Sequence, residues 1–271
     1  MQLERLGFIG AGQMAEALIK GILAKGLLNP SQIAASEPSA QRRNDLQERL
    51  GIGLVEENKA VAGMVDVLVL AVKPQVMMKV LTDIGPSLTP KHLLISIAAG
   101  VTTQFMESML PDGTRVVRVM PNTPALVQAG ASALCAGRHA SPQDLETAKS
   151  IFDAIGKAVV LPEELLNAVT GLSGSGPAYV FTFIQGLIDA GVREGLSRDV
   201  AAMLAVQTVF GSALMCLEIG KSPAELTAMV TSPGGTTIEG LYALENRGFR
   251  ATIMDAVRAA TERSRSLSKS N

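Results

Sequence analysis

Two patterns of apolar residues divide the chain. Up to Leu161, short runs of almost wholly apolar residues recur at 6–9, 32–36, 65–72, 92–98 and 115–120, with weaker ones at 53–55, 131–135 and 158–161. Each has the length of a strand and lacks the alternation of a sheet with one wet face. Such runs predict strands buried on both faces, as in a parallel sheet. The stretches 13–25, 40–50, 75–84 and 103–110 repeat apolar residues every three or four positions and predict amphipathic helices between the strands. Ser141-Pro142 puts a capping residue before a proline at the first helical position, so a helix should run on to about residue 155. Beyond Pro162 the strand-like runs stop. Helical patterns fill 164–171, 177–195, 198–220, 223–231, 236–244 and 250–267, and the polar end 264–271 should fray. The expected fold is α/β: a mostly parallel sheet over residues 1–162, then an all-helical domain over 163–271.

Two of the predicted helices change this picture. Residues 165–188 and 200–217 contain no charged side chain. Glycines, Pro177 and polar residues make both poor continuous membrane spans, although the second approaches the minimum length of about 17 residues. A helix apolar on every side needs cover on every side, which a small helical domain cannot supply alone. Charged residues are 18% of the 271-residue chain, against about 25% in an ordinary globular protein. Both observations predict a homo-oligomer, a dimer at least, whose interface is built by the C-terminal half. The formal net charge is −1, aromatic residues are 3% and Trp is absent, so neither a basic field nor stacking platforms for nucleic acid are expected. The opening Met1-Gln-Leu-Glu-Arg lacks the layout of an export signal, and Cys135 and Cys216 cannot make a disulfide framework. A cytoplasmic location is the expectation.

The first motif with chemical content is Ile9-Gly10-Ala11-Gly12-Gln13-Met14-Ala15, a G-x-G-x-x-A run directly after a predicted strand and opening a helix. Gly10 allows the tight turn, Gly12 lets backbone approach a pyrophosphate, and Ala15 lets helix pack closely on strand. This is the dinucleotide fingerprint of a Rossmann-type domain, with the phosphates at a helix N-terminus. The next strand ends at Ser36-Glu37-Pro38-Ser39, followed by Gln41-Arg42-Arg43. Glu37 could accept the ribose 2′-hydroxyl of NADH. Ser36 and Ser39 could donate to the 2′-phosphate of NADPH, with Arg42 or Arg43 as counter-charge. Asn58 is expected to cap the following short helix and could face the adenosine end. Ala71-Val72-Lys73-Pro74, Ala98-Ala99-Gly100 and Met120-Pro121-Asn122-Thr123-Pro124 fall at later strand ends, where such sheets bind ligands.

The helical half carries two further motifs, Leu172-Ser173-Gly174-Ser175-Gly176-Pro177-Ala178-Tyr179 and Thr231-Ser232-Pro233-Gly234-Gly235-Thr236-Thr237. Each puts glycines and hydroxyls at a helix start, where free N–H groups favour a carboxylate. No spacing of His, Cys, Asp or Glu suggests a metal site. No lysine occurs between Lys157 and Lys221. A hydroxyacid dehydrogenase with a helical second domain needs a base to move the alcohol proton, usually Lys or His. Hydroxyls in its place fit an acceptor that is already activated, such as a protonated C=N bond. Three readings stay open on the residues: an imine reductase, a dehydrogenase of small hydroxyacids, and a non-catalytic nucleotide-sensing oligomer.

Taken in order, the Gly10–Ala15 run, Ala71–Pro74, Arg118–Pro124, Leu172–Tyr179 and Thr231–Thr237 resemble pyrroline-5-carboxylate reductase over essentially the whole chain. The resemblance implies NADPH-dependent reduction of L-1-pyrroline-5-carboxylate to L-proline, with NADH as a possible second donor. It implies helical domains that interlace between two subunits, often within a ring of dimers, and a substrate site at that interface. Carried over by position, Thr237 would bond the ring nitrogen, and Ser232, Gly234, Gly235 and Thr236 would bind the carboxylate. Ser175 and Glu163 would lie near the ring.

Overall fold

The computed structural model describes residues 3–269 and contains one eight-stranded sheet of order β3-β2-β1-β4-β5-β6-β7-β8. The strands are β1 Leu6–Ile9, β2 Ile33–Ser36, β3 Gly53–Val55, β4 Val67–Leu70, β5 Leu93–Ser96, β6 Arg115–Met120, β7 Gly130–Ala136 and β8 Gly156–Val160. All neighbours are parallel except β6 and β7, which a short connection joins antiparallel. Residues β1, β4 and β5 are buried along their whole length, which explains why they read as continuous apolar runs. One face packs on α1 Gln13–Ala24 through Leu18, Ile19 and Ile22; the other packs on Val80, Leu81 and Ile84. The latter three lie on α4 Met77–Ile84, after α2 Ala40–Leu50 and α3 Asn58–Ala62 in the chain.

The capping signals hold in detail. Ser39 accepts from the Arg42 N–H to start α2. After α5 Thr103–Ser108, α6 Pro142–Asp153 opens with a reciprocal box between Ser141 and Asp144. The short α3 departs from expectation: Glu57 occupies the cap position and Asn58 is the first helical residue. In the order 3-2-1-4-5 the strand order reverses between β1 and β4, which stay parallel, so the turns after these strands bound the crevice in which such sheets bind ligands.

After β8 the chain is helical: α7 Leu166–Val169, a π turn Thr170–Gly174, α8 Gly176–Arg193, α9 Arg198–Glu218, α10 Pro223–Met229, α11 Thr236–Asn246 and α12 Phe249–Lys269. Chain up to Ser175, together with the segment from Ala259 onward, forms one compact unit; Gly176–Arg258 forms a second. In the first unit the polar end of the chain continues as helix to Lys269 rather than fraying. Ser264 and Ser268 donate to Asn167 Oδ1 at 2.7 and 3.2 Å, which gives that turn tertiary anchors. The expectation also covered Ser270 and Asn271, which lie outside the described residues.

In the second unit α8 and α9 pair closely. A Cβ on Gly191 would stand 3.0 Å from that of Ala201, so the small residues set the approach. Phe183 and Phe249 meet at a centroid distance of 6.0 Å, and Tyr179 donates to the Ala256 carbonyl at 3.3 Å. The single chain nevertheless leaves the uncharged helices bare. On α9 only Ala201 and Ala205 are buried, while Met203, Val206, Phe210 and Leu217 are exposed. α9 is the one helix among the described residues long and apolar enough to cross a membrane. Exposed apolar area on this scale calls for cover. Light scattering at low micromolar concentration should therefore give at least twice the chain mass of 28.3 kDa. Phe210→Asp should lower that mass or drive precipitation; unchanged assembly in the variant would remove α9 from the interface.

Candidate active site

The dinucleotide end is organised by the turn after β1. Gly10 has φ +89°, and a Cβ there would lie 2.9 Å from the Ala71 carbonyl oxygen, so the turn needs glycine for conformation and for space. Its N–H donates to the Ser36 carbonyl at 3.1 Å, with Ser36 Oγ a second acceptor at 3.3 Å. Ala11 is buried, whereas Gly12 and Gln13 are exposed and Met14 is half-buried. Gly12 caps α1 without a side chain, and a Cβ added there would meet nothing within 4 Å. The first-turn N–H groups thus face open space at the positive end of a helix, as a pyrophosphate requires. The residues present fit a dinucleotide.

The turn after β2 is packed with charge. Ser36 is buried, and its hydroxyl donates to Asn58 Oδ1 at 2.8 Å; Asn58 Nδ2 in turn donates to Asp83 at 3.3 Å. Ser36 thus meets the Gly10 turn directly, and Asn58 meets Ser36. Glu37 accepts from the Ser39 N–H at 3.0 Å. Arg43 donates to the Glu37 and Pro38 carbonyls at 2.6 and 2.9 Å and pairs with Glu56 at 3.1 Å. Arg42 reaches back to α1, donating to Glu16 at 2.6 Å and to the Ala11 carbonyl at 3.2 Å. Glu16 also meets Arg49 at 2.6 Å and Lys20 at 2.8 Å. These three cations, Arg49 foremost, hold its carboxyl down at about 2. Glu16 belongs to none of the motifs; a lone acid in the first turn of α1, with an arginine pair at 42–43, is the signal that marks it.

The later strand ends form the neighbouring wall. Ala71 and Val72 are half-buried, Lys73 is exposed, and Pro74 opens a short 3₁₀ turn. Ala98 is buried and Ala99 exposed. Beneath them a charge is locked away. Arg118 on β6 is 3% exposed and donates to Glu163 at 2.9 Å. The same carboxylate accepts the Thr103 N–H at 2.9 Å and the Thr103 hydroxyl. Glu163 is thereby tied to the start of α5, the helix that follows the Ala98-Ala99-Gly100 turn. A charged residue inside an apolar strand is the sequence signal for such a partner. Cys135 lies in the same cluster, where burial, helped by the Glu163 charge, pushes its thiol up to about 12. Asn122 makes a second tie, donating to the Ser173 carbonyl at 3.1 Å and accepting from Ala131 at 2.8 Å. Gly174 lets Met120 approach: a Cβ there would be 2.7 Å from its methyl group. Ser175 is half-buried, its N–H held by the Thr170 carbonyl at 2.8 Å.

In the second unit, Thr231-Ser232-Pro233-Gly234-Gly235 forms the loop between α10 and α11. Gly234 has φ +65°, and the Gly235 N–H closes the turn on the Ser232 carbonyl at 3.0 Å. A Cβ on Gly235 would stand 2.3 Å from Ser232 Oγ. Gly235 caps α11 without a side-chain acceptor, so the N–H groups of its first turn are left for a ligand. Thr236 is exposed and Thr237 half-buried in that turn. The arrangement suits a carboxylate held by backbone donors, with a hydroxyl alongside.

A family model described as pyrroline-5-carboxylate reductase dimerisation matches residues 163–267, and one described as NADP oxidoreductase, coenzyme F420-dependent, matches residues 5–100. The chain is 48% identical to a pyrroline-5-carboxylate reductase of Methanosarcina acetivorans, covering 99% of this chain and 100% of that one. It is 43% identical to one from Escherichia coli, covering 98% and 99%. Among solved structures, a pyrroline-5-carboxylate reductase of Coxiella burnetii matches with a TM-score of 0.94 at 36% identity, covering 99% of each chain. A pyrroline carboxylate reductase of Plasmodium falciparum with NADP bound matches at 0.87, also at 36% identity over 99% of each chain.

The two glycines of the fingerprint should respond differently to alanine. Gly12→Ala should fold within about 0.5 kcal/mol of the parent yet lose dinucleotide affinity by about tenfold or more, because its methyl occupies space left for phosphate. Gly10→Ala should be destabilised as well, through strain and the Ala71 contact. Urea unfolding and a nucleotide titration of both variants check this. Glu163→Ala leaves the buried Arg118 without its carboxylate and should cost about 1–3 kcal/mol in the same unfolding assay.

Proposed function

The chain belongs to the pyrroline-5-carboxylate reductase family, and from that premise we infer that it reduces the C=N bond of L-1-pyrroline-5-carboxylate to give L-proline, the last step of proline synthesis. NADPH is its coenzyme, with NADH as a possible second donor. The observation that carries the reading is that the chain has two uncapped helix starts, one in each unit: α1 behind Gly12, open to pyrophosphate, and α11 behind Gly235, open to a carboxylate.

When bound, the dihydronicotinamide supplies a hydride. The chain's own residues bind and orient. Gly10, Ala11, Gly12, Gln13 and Met14 would hold the phosphates through backbone N–H groups. Ala71-Val72-Lys73-Pro74 and Ala98-Ala99 would give the nicotinamide a flat, small-residue wall, kept in place by the Glu163 tie to Thr103 and Arg118. In this reading Glu163 acts through those partners. Backbone donors from Ser232 through Thr236 would fix the substrate carboxylate. The Thr237 hydroxyl would hold the ring nitrogen, whose iminium proton becomes the N–H of proline as hydride reaches the adjacent carbon. Orientation and charge stabilisation carry the rate, and no strong acid or base is needed. Ser175 would border the ring.

The dimerisation match over the helical half supports a homo-oligomer, with the bare face of α9 as the surface to be covered. We extend this to a ring of dimers and to a cytoplasmic location, the latter resting on two unpaired cysteines, one of them exposed.

Pyrroline-5-carboxylate should trigger oxidation of NADPH by the purified protein. Thr237→Ala should lower kcat/KM about ten- to a hundredfold, the worth of a hydrogen bond to a charged group, with NADPH affinity intact. An unchanged kcat/KM would remove Thr237 from the mechanism; a hydroxyacid oxidised in place of the pyrroline would overturn the reaction itself.

A further inference from the structure

The turn that would meet the adenosine ribose carries acids and bases in nearly equal number, and the hydrogen bonds decide which of them can act on a ligand. Arg43 is spent on the turn itself: its guanidinium fastens the Glu37 and Pro38 carbonyls and pairs with Glu56. Glu37 stands at the strand end, its carboxylate accepting from the Ser39 N–H. Arg42 is different. Its nearest carboxylate partner stands on another element, α1, and its Nη2 and Nε both face inward, to Glu16 and to the Ala11 carbonyl. Asp45 lies 3.7 Å from the remaining nitrogen. The guanidinium is thus adjacent to the glycine-rich loop but turned to the protein.

A 2′-phosphate carries close to two negative charges and binds best to a guanidinium with free, paired N–H groups. A 2′-hydroxyl needs none of that charge and is served by a carboxylate such as Glu37. Discrimination between the coenzymes then depends on whether Arg42 is available. Glu16 is the group that decides it, because it is 14% exposed in its side chain and is shared by Arg42, Arg49 and Lys20.

We propose that Glu16, from the first turn of α1, sets the preference between NADPH and NADH by holding the Arg42 guanidinium away from the 2′-phosphate. This rests on the dinucleotide reading given above. Glu16→Gln keeps an acceptor for Arg42 and the loop brace but removes the charge that captures it. The freed guanidinium would turn to the ribose and favour the phosphorylated coenzyme.

The test is equilibrium binding without substrate, following the fluorescence of NADPH and of NADH titrated separately with wild-type protein, Glu16→Gln, Arg42→Met and the double variant. In Glu16→Gln the ratio of the NADH to the NADPH dissociation constant should rise about three- to fivefold, the size of a partly exposed ion pair. The double variant should lose that gain. Arg42→Met alone should move the ratio less than twofold. A ratio unchanged in Glu16→Gln, equal weakening of both coenzymes, or a gain that survives in the double variant would overturn the proposal. So would a tenfold loss of NADPH affinity in Arg42→Met, which would show the arginine already serving the phosphate; this arm stands even if Glu16→Gln does not fold. A wild-type protein that binds neither coenzyme would overturn the dinucleotide reading along with it.

Discussion

Arg118 sits on a strand covered on both faces, and a guanidinium in that position is tolerated only with a carboxylate in contact. Glu163 provides the contact from outside the sheet, at the point where the chain leaves β8 and becomes helical. Because its carboxylate also accepts from both donors of Thr103, one buried charge fixes three segments at once. These are the end of β6, the turn that opens α5, and the entry to the helices. Asn122 repeats the device with neutral groups, joining the turn after β6 to the π turn at Ser173. The chain after β5 is therefore held at the start of α5 by polar contacts as well as by packing. Such networks cost stability if any member is lost, and they give a single geometry in return.

Further along the same carboxyl edge of the sheet the requirement is access. Gly10 takes a left-handed conformation against β4 so that the backbone turns sharply, and Gly12 leaves the start of α1 bare. The charges gathered behind this opening neutralise one another: Glu16 alone meets three cations. The local field is then set by hydrogen-bond geometry more than by net charge, which is why substituting one acid can redirect a neighbouring arginine.

Much of this architecture is legible in the sequence. Strands and helices are readable because the parallel sheet demands unbroken apolar runs and the helices demand a stripe, and the caps at Ser39 and Ser141 follow from local chemistry. The glycine loop and the Thr231–Thr237 loop are readable as helix starts without side-chain caps. What stayed hidden depends on side-chain direction across long sequence separations. Asn58 looks like a cap, yet Glu57 holds that position and the Asn58 amide meets Ser36 and Asp83. Glu163 is placed near the ring only by the family resemblance, and its bonds to residues 45 and 60 positions away have no signal in the sequence. The polar tail looks frayed until Asn167 is seen to anchor it. No periodicity encodes such pairings.

The uneven distribution of charge ties these observations together. Ion pairs crowd the β2–α2 region, while 200–217 has no charged residue at all. A coenzyme that comes and goes calls for polar groups that remain solvated and paired in its absence, since an unpaired buried charge would be ruinous. A permanent subunit contact calls for the opposite, apolar area with little to desolvate. α9 leaves Met203, Val206 and Phe210 exposed in the single chain, the kind of surface that suits a subunit contact. The same logic suits the α11 loop, whose uncapped first turn offers backbone N–H groups without adding another full charge.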